Sequence, residues 1–139
     1  MPRHFKIDRI IDANINRAKE GLRVCEEIVR FILNERTLTS EIKKIRHEIE
    51  GIVKNLPQAK NLLKSRNALS DVGRDVYADE LKRRNLGDIF FANIQRAKES
   101  VRVLEEFSKL INITLAIRFK RLRYRIYQIE KKIAKSITK

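Results

Sequence analysis

Two arginines and two asparagines stand where helical periodicity asks for core residues. Residues 12–27 read DANINRAKEGLRVCEE and residues 91–106 read FANIQRAKESVRVLEE. With Asn14 aligned on Asn93, 11 of the 15 positions from Ala13 to Glu27 are identical in the second stretch. At about 100° per residue, Asn14 falls in the middle of the apolar arc with Gly21, Cys25 and Ile28. Arg17 lies on the same arc between Val24 and Ile28, and Asn93 and Arg96 repeat the arrangement. An arginine is rarely buried without a partner, because loss of its hydration is costly. Two readings stay open. In one, each arginine pairs with a carboxylate, Glu20 or Glu99, and each asparagine caps a backbone group. In the other, a polar pocket between the two copies offers two guanidinium groups to an anion. The planar donor fork of arginine suits phosphate, and small Gly21 and Ser100 would leave room for a ligand.

A second cluster lies between the copies. Arg66, Asp71, Arg74 and Asp75 fall within ten residues, in SRNALSDVGRDVYADELKRRN, where Gly73 marks a loop. Carboxylates so placed can hold Mg²⁺ through water or orient an acceptor, while arginines neutralise phosphates. An ordinary polar connection is the plain alternative. Other positions carry less. His4 and His47 are not spaced as a metal pair, and Cys25 sits on the buried stripe as a small hydrophobe. Tyr124 and Tyr127, among Arg121, Arg123 and Arg125, can stack on bases or pack at a bundle edge. Neither standard glycine-rich phosphate cradle occurs.

Helices must position these residues. Ile11, Ile15, Ala18, Leu22, Cys25, Val29 and Ile32 recur at helical spacing, opposite Lys19, Arg23, Glu26, Glu27 and Arg30. Asp8 or Asp12 is expected to open this helix, Gly87-Asp88 its counterpart, and Thr39 or Ser40 the helix that ends near Leu56-Pro57. Leu38, Ile42, Ile45, Arg46 and Ile49 match Leu115, Phe119, Leu122, Arg123 and Ile126. Each copy is therefore read as a helix, a turn and a second helix. A short helix is expected over Lys60–Arg66, and no segment reads as a strand. The expected fold is all-α: a duplicated helical hairpin forming a pseudo-two-fold antiparallel bundle with a central crossover loop. One domain over 1–139 is expected, with hairpins at 8–56 and 87–135 and the connecting segment at 57–86.

Composition bounds the function. The chain has 139 residues, 42% of them hydrophobic and 36% charged, which supports a folded core. One cysteine excludes an internal disulfide and a cysteine-ligated zinc site. The first residues open no apolar leader and no run reaches membrane-span length, so a cytoplasmic protein is expected. A net charge of +14 points to an anionic partner or to a heat-adapted surface rich in Lys, Arg, Glu and Ile.

The stretch from Asp12 to Glu27, Arg30-Phe31, Lys44-Ile-Arg46-His-Glu48, Asp71-Val-Gly73, Arg83 or Arg84, Ala92 to Glu99, Arg102 to Glu106 and Leu122-Arg-Tyr124 resemble one family. It is the monofunctional hydroxymethylpyrimidine-phosphate kinase, a small module often fused ahead of thiamine-phosphate synthase. The resemblance covers roughly residues 8–133, and no synthase barrel is expected. After Asp71-Val-Gly73 this sequence has Arg74 in place of a smaller residue. The resemblance implies transfer of a phosphoryl group from ATP, with Mg²⁺, onto 4-amino-5-hydroxymethyl-2-methylpyrimidine phosphate in thiamine biosynthesis. It implies no zinc, haem or flavin.

The reading of faces and charge then assigns expected roles. Arg17 and Arg96 clamp phosphates, and Asn14 and Asn93 orient substrate. Asp71 and Arg66 act at the transferred group, with Asp71 and Asp75 as Mg²⁺ contacts and Gly73 shaping the loop. Arg46 and Arg123 reach the same pocket or pair with Glu20 and Glu99. The rivals are a basic nucleic-acid-binding module and a non-catalytic partner of thiamine-phosphate synthase; a homodimer is left open.

Overall fold

The computed structural model describes the backbone of residues 3–75 and 78–138; the side chains of residues 3–5, 78 and 79, His4 among them, lie outside that description. Five α-helices follow one another: α1 Arg3–Glu27, α2 Arg36–Lys54, the short α3 Ala59–Ser65, α4 Leu86–Ser108 and α5 Ile113–Ile137. No strand occurs among the described residues. The architecture is the expected all-α bundle.

Ion pairs fix the helix directions. Glu26 meets Arg46 and Lys19 meets Glu50, so α1 and α2 run antiparallel. Glu105 with Arg123 and Lys98 with Glu130 do the same for α4 and α5. Glu48 with Arg125 and Glu41 with Lys132 join α2 to α5, again antiparallel. The isoleucine stripe of α2 (Ile42, Ile45, Ile49, Ile52) and that of α5 (Ile126, Ile129, Ile133) close a common core with Leu22, Phe90, Ile94 and Phe119.

The central pair, α1 and α4, crosses closely. A Cβ placed on Gly21 would stand 2.7 Å from the Asn93 carbonyl oxygen and 3.4 Å from the Ala97 nitrogen. One turn on, the Cys25 thiol faces the Phe90 carbonyl at 3.9 Å. The pairing order makes this crossing antiparallel too. The small residues thus admit the partner helix, not a ligand, and the pocket expected between the copies is filled by backbone. Ser100, the counterpart of Gly21, is buried and donates its hydroxyl to the Arg96 carbonyl at 2.7 Å.

Several boundaries differ from expectation. α1 begins at Arg3, ahead of Asp8 and Asp12. α2 begins at Arg36, and Thr39 Oγ1 donates back to the Glu35 carbonyl at 2.7 Å instead of capping. True side-chain caps are Asn85, which accepts from the Asp88 N–H, and Asn112, which accepts from the Thr114 N–H. The first hairpin connection is two residues longer than the second, because its helices align at offsets of 79 and 77. The extra length enters a π-helical turn over Ile28–Ile32, closed by Asn34 at φ 55°.

Gly21→Ala tests the crossing. Helix propensity alone would favour alanine by about 1 kcal/mol. The clash with backbone reverses the sign, and a net loss of roughly 1–2 kcal/mol is expected from overpacking. Urea unfolding measures it; an unchanged or raised midpoint would contradict the close approach.

Candidate functional site

The repeated asparagines are used inside their own helices. Asn14 Nδ2 donates to the Ile10 carbonyl and Asn93 Nδ2 to the Ile89 carbonyl, both at 2.8 Å. Asn14 is buried and Asn93 half-buried in the α1–α4 contact. Each therefore satisfies itself one turn back, the backbone-capping alternative of the two readings.

The arginines divide into two classes. Arg46 and Arg123 turn inward and meet buried carboxylates. Arg46 Nε donates to Glu26 Oε1 at 3.1 Å, and Arg123 Nη2 donates to Glu105 Oε1 at 3.1 Å. Burial works against the charge of Arg123, yet hydrogen bonds to Tyr127 and Glu105 outweigh it and raise its pKa above the usual arginine value. The expected partners, Glu20 and Glu99, are instead exposed and form no ion pair among the described residues. Glu26, assigned from the sequence to the outer face, is 2% exposed. Its position one turn after Leu22 and three before Val29 was the overlooked signal. Arg17 and Arg96 form the second class. Both are exposed, and neither guanidinium makes a hydrogen bond or ion pair among the described residues. Arg17 lies one turn before Gly21, and Arg96 immediately precedes Ala97. The two therefore flank the helix crossing on its solvent side.

The segment after α3 builds a cleft on the outer flank of α1. Arg9, Asp12, Asn16 and Glu20 line it from the helix; Arg66, Asn67 and Asp71 line it from the loop, around about 420 Å³. Arg66 grips Asp12 with both prongs, Nε to Oδ2 and Nη2 to Oδ1, each at 2.8 Å. That hydrogen bonding raises the Arg66 pKa further. Arg9 Nη2 donates to the Asn67 carbonyl at 3.4 Å. Asp71 Oδ1 accepts the Gly73 N–H at 2.8 Å, the local reason for the turn. Asp71, Gly73, Arg74 and Asp75 are all exposed. The structure thus brings Arg66, Asp71 and Glu20 together. Asn14, Asn93, Arg46 and Arg123 belong to the interior, and Arg96 lies on the neighbouring helix. Arg17 stands one turn from both Ala13 and Glu20, which places it at the edge of the cleft.

Arg9 and Asn16 carry no site role in the sequence reading, and Asp12 figures there only as a helix start. The comparison of copies carried a signal: Asp12 and Asn16 correspond to Phe91 and Gln95, so these positions break the repeat. Among the described residues no group of three His, Cys, Asp or Glu side chains is placed to hold a metal. A resident metal cage does not fit, although one or two carboxylates suit Mg²⁺ that keeps phosphate and water ligands. Burial pushes the Cys25 thiol up to about 12, which fits an inert core residue.

The ThiD2 family profile matches residues 9–132. The chain belongs to the ThiD2 family. Proteins named thiamine-phosphate synthase are among its curated relatives. That of Synechocystis sp. is 39% identical over 125 residues, 89% of this chain and 35% of the relative. That of Rhodopirellula baltica is 38% identical over 120 residues, 86% of this chain and 32% of the relative. This ThiD2 member spans about a third of the length of the curated relatives it matches. No solved structure matches it. Among its described residues, no helix is long and apolar enough to cross a membrane.

Two outcomes are expected. Glu26→Ala and Glu105→Ala, which strand a nearly buried guanidinium, should each cost about 3 kcal/mol in urea unfolding. Glu20→Ala and Glu99→Ala should stay within about 0.5 kcal/mol; equal losses in all four would contradict the pairing. A thiol reagent at pH 8 should label Cys25 only on unfolding, and rapid labelling of the folded protein would contradict its burial.

Proposed function

We propose that this protein acts in thiamine biosynthesis as a kinase, converting 4-amino-5-hydroxymethyl-2-methylpyrimidine phosphate and ATP to the pyrophosphate and ADP. Membership of the ThiD2 family and the names of the relatives support the pathway. The observation that carries the kinase reading is the pair of repeat-related arginines, Arg17 and Arg96, exposed at the α1–α4 crossing with no side-chain partner among the described residues, Arg17 at the edge of a cleft that holds Arg66 and Asp71. Phosphoryl transfer between two phosphates asks the protein for positioning and charge neutralisation. The acceptor is an oxygen of the substrate's own phosphate. A phosphate monoester has a second pKa near 6 and is largely ionised at neutral pH, so no strong base is required. The acceptor oxygen bonds to the γ-phosphorus, the bond to the bridging oxygen breaks, and ADP leaves with that electron pair.

In this reading Arg17 and Arg96 bind phosphate oxygens. Arg66, already held by Asp12, faces the transferred group. Asp71 and Asp75 contact the Mg²⁺ that arrives with ATP, and Gly73 keeps the Asp71 turn. A cytoplasmic location belongs to the same reading.

A second reading draws on length. The relatives are about three times as long, which supports a module that serves thiamine-phosphate synthase as a non-catalytic partner. One assay separates the two. Purified protein with ATP and Mg²⁺ is offered the pyrimidine monophosphate or the free alcohol. Diphosphate from the monophosphate alone is expected, with kcat/KM lowered at least roughly tenfold by Arg17→Ala and by Arg96→Ala, a transition-state loss of about 1.4 kcal/mol or more. No product from a folded protein would leave the partner reading in place.

A further inference from the structure

The two hairpins provide an internal control for charge. Helices α2 and α5 have the same place in the bundle, each packing an isoleucine stripe inward and sending one arginine to a buried glutamate. Their outer faces differ. Over Arg36–Lys54, α2 carries five Lys and Arg against three Glu, a net +2. Over Ile113–Ile137, α5 carries eight against one, a net +7, which is half of the protein's +14. Position by position, Glu41, His47, Glu48 and Glu50 of α2 become Arg118, Tyr124, Arg125 and Tyr127. The fold does not need this change, because α2 does without it.

The charges on α5 are also ordered. Arg118, Arg121, Arg125, Lys132 and Lys135 follow at steps of three, four, seven and three residues along one stripe, about 25 Å long at the rise of an α-helix. Arg125 and Lys132 are tied to Glu48 and Glu41 of α2 at 2.7 and 3.3 Å. Arg118, Lys120, Arg121, Lys131 and Lys135 make no ion pair or hydrogen bond among the described residues. Arg118, Arg121 and Arg125, the last paired with Glu48, rim a hollow of about 280 Å³ over Ile52 and Leu122.

Beside the stripe stand two exposed aromatic rings. Tyr124 is 53% and Tyr127 41% exposed, with ring centroids 5.9 Å apart. Arg123 lies 5.2 Å from the Tyr124 centroid and Lys98 5.1 Å from that of Tyr127. These cations hold the rings in place while leaving much of their surface to solvent. Unpaired cations alone would suit any polyanion, but flat rings beside them suit unpaired bases.

We propose that the outer face of α5 is a binding site for single-stranded nucleic acid. Arg118, Lys120 and Arg121 neutralise backbone phosphates, and Tyr124 and Tyr127 stack on bases. The site is separate from the cleft beside α1 and does not depend on any turnover there.

The test uses the full chain and a labelled oligouridylate, titrated by fluorescence anisotropy at several salt concentrations, with an RNA duplex and phosphatidylserine vesicles as competitors. Binding with a log–log salt slope of about −2 to −4 is expected, as for a few phosphates on a single strand. Arg118→Glu with Arg121→Glu should weaken it at least roughly tenfold and flatten the slope by about 1 to 2. Tyr124→Ala with Tyr127→Ala should weaken it roughly tenfold or more at unchanged slope, and Tyr→Phe at both positions should restore it. Circular dichroism confirms that each variant keeps its helices. Absence of binding, indifference to the tyrosines, or displacement by duplex or vesicles as effective as by single strand would each overturn the proposal.

Discussion

The close approach of α1 and α4 at Gly21 is the constraint on which the rest of the structure depends. A side chain there would run into the Asn93 carbonyl 2.7 Å away. The two repeated helices can meet face to face only because that side chain is missing. Once they do, Asn14 and Asn93 are enclosed and must satisfy their amides on their own backbones. Arg17 and Arg96, slightly further round each helix, are carried to the lip of the crossing. One small residue thus decides both which polar groups go inside and which guanidiniums stay in water.

The second interior device is the repeated ion pair. Glu26 and Glu105 are nearly fully buried, and each is held by an arginine from the following helix. A buried pair of this kind adds little net stability over an apolar pair but heavily penalises any register that separates its members. It fixes each hairpin in one alignment. The same positions then diverge where the environment allows: Arg46 reaches Glu50 four residues on at 3.6 Å, whereas Arg123 donates to Tyr127 at 3.4 Å.

Much of this was legible in the sequence. The repeat, the apolar stripes and the absence of strand signals led to the all-α duplicated bundle, since helical periodicity is a local property of the chain. The helix starts were less legible. Thr39 and Ser40 look like caps but lie inside α2, because tertiary packing of Leu38 extends the helix past the local signal. The π-helical turn was invisible, as it only absorbs two surplus residues. For the site, Arg66 and Asp71, close in sequence, line one cleft, and Glu20 joins them there although it was expected to pair with an arginine. Which glutamate faces which arginine could not be read from an arc of about 100° steps, for Glu20 and Glu26 differ by less than two turns. The ligand gap inferred from Gly21 failed because a small residue admits a helix as readily as a substrate. Asp12 and Arg9 belong to a long-range cleft that exists only once α3 has folded back on α1.

The duplication also explains where chemistry can accumulate. The two hairpins build most of the core, with Leu62 of α3 added, and much of what one copy has that the other lacks is free of that duty. The α3 cleft exists on the first copy alone, and the Arg17–Arg96 pair exists only where the copies meet. The most direct measurement follows the side-chain NεH resonances of arginine by NMR while the pyrimidine monophosphate, without ATP, is added to the intact protein. Saturable shifts at Arg17, Arg96 and Arg66, with Arg46 and Arg123 unmoved, are what the account predicts. Shifts confined to Arg118 and Arg121, or none at the helix crossing, would contradict it.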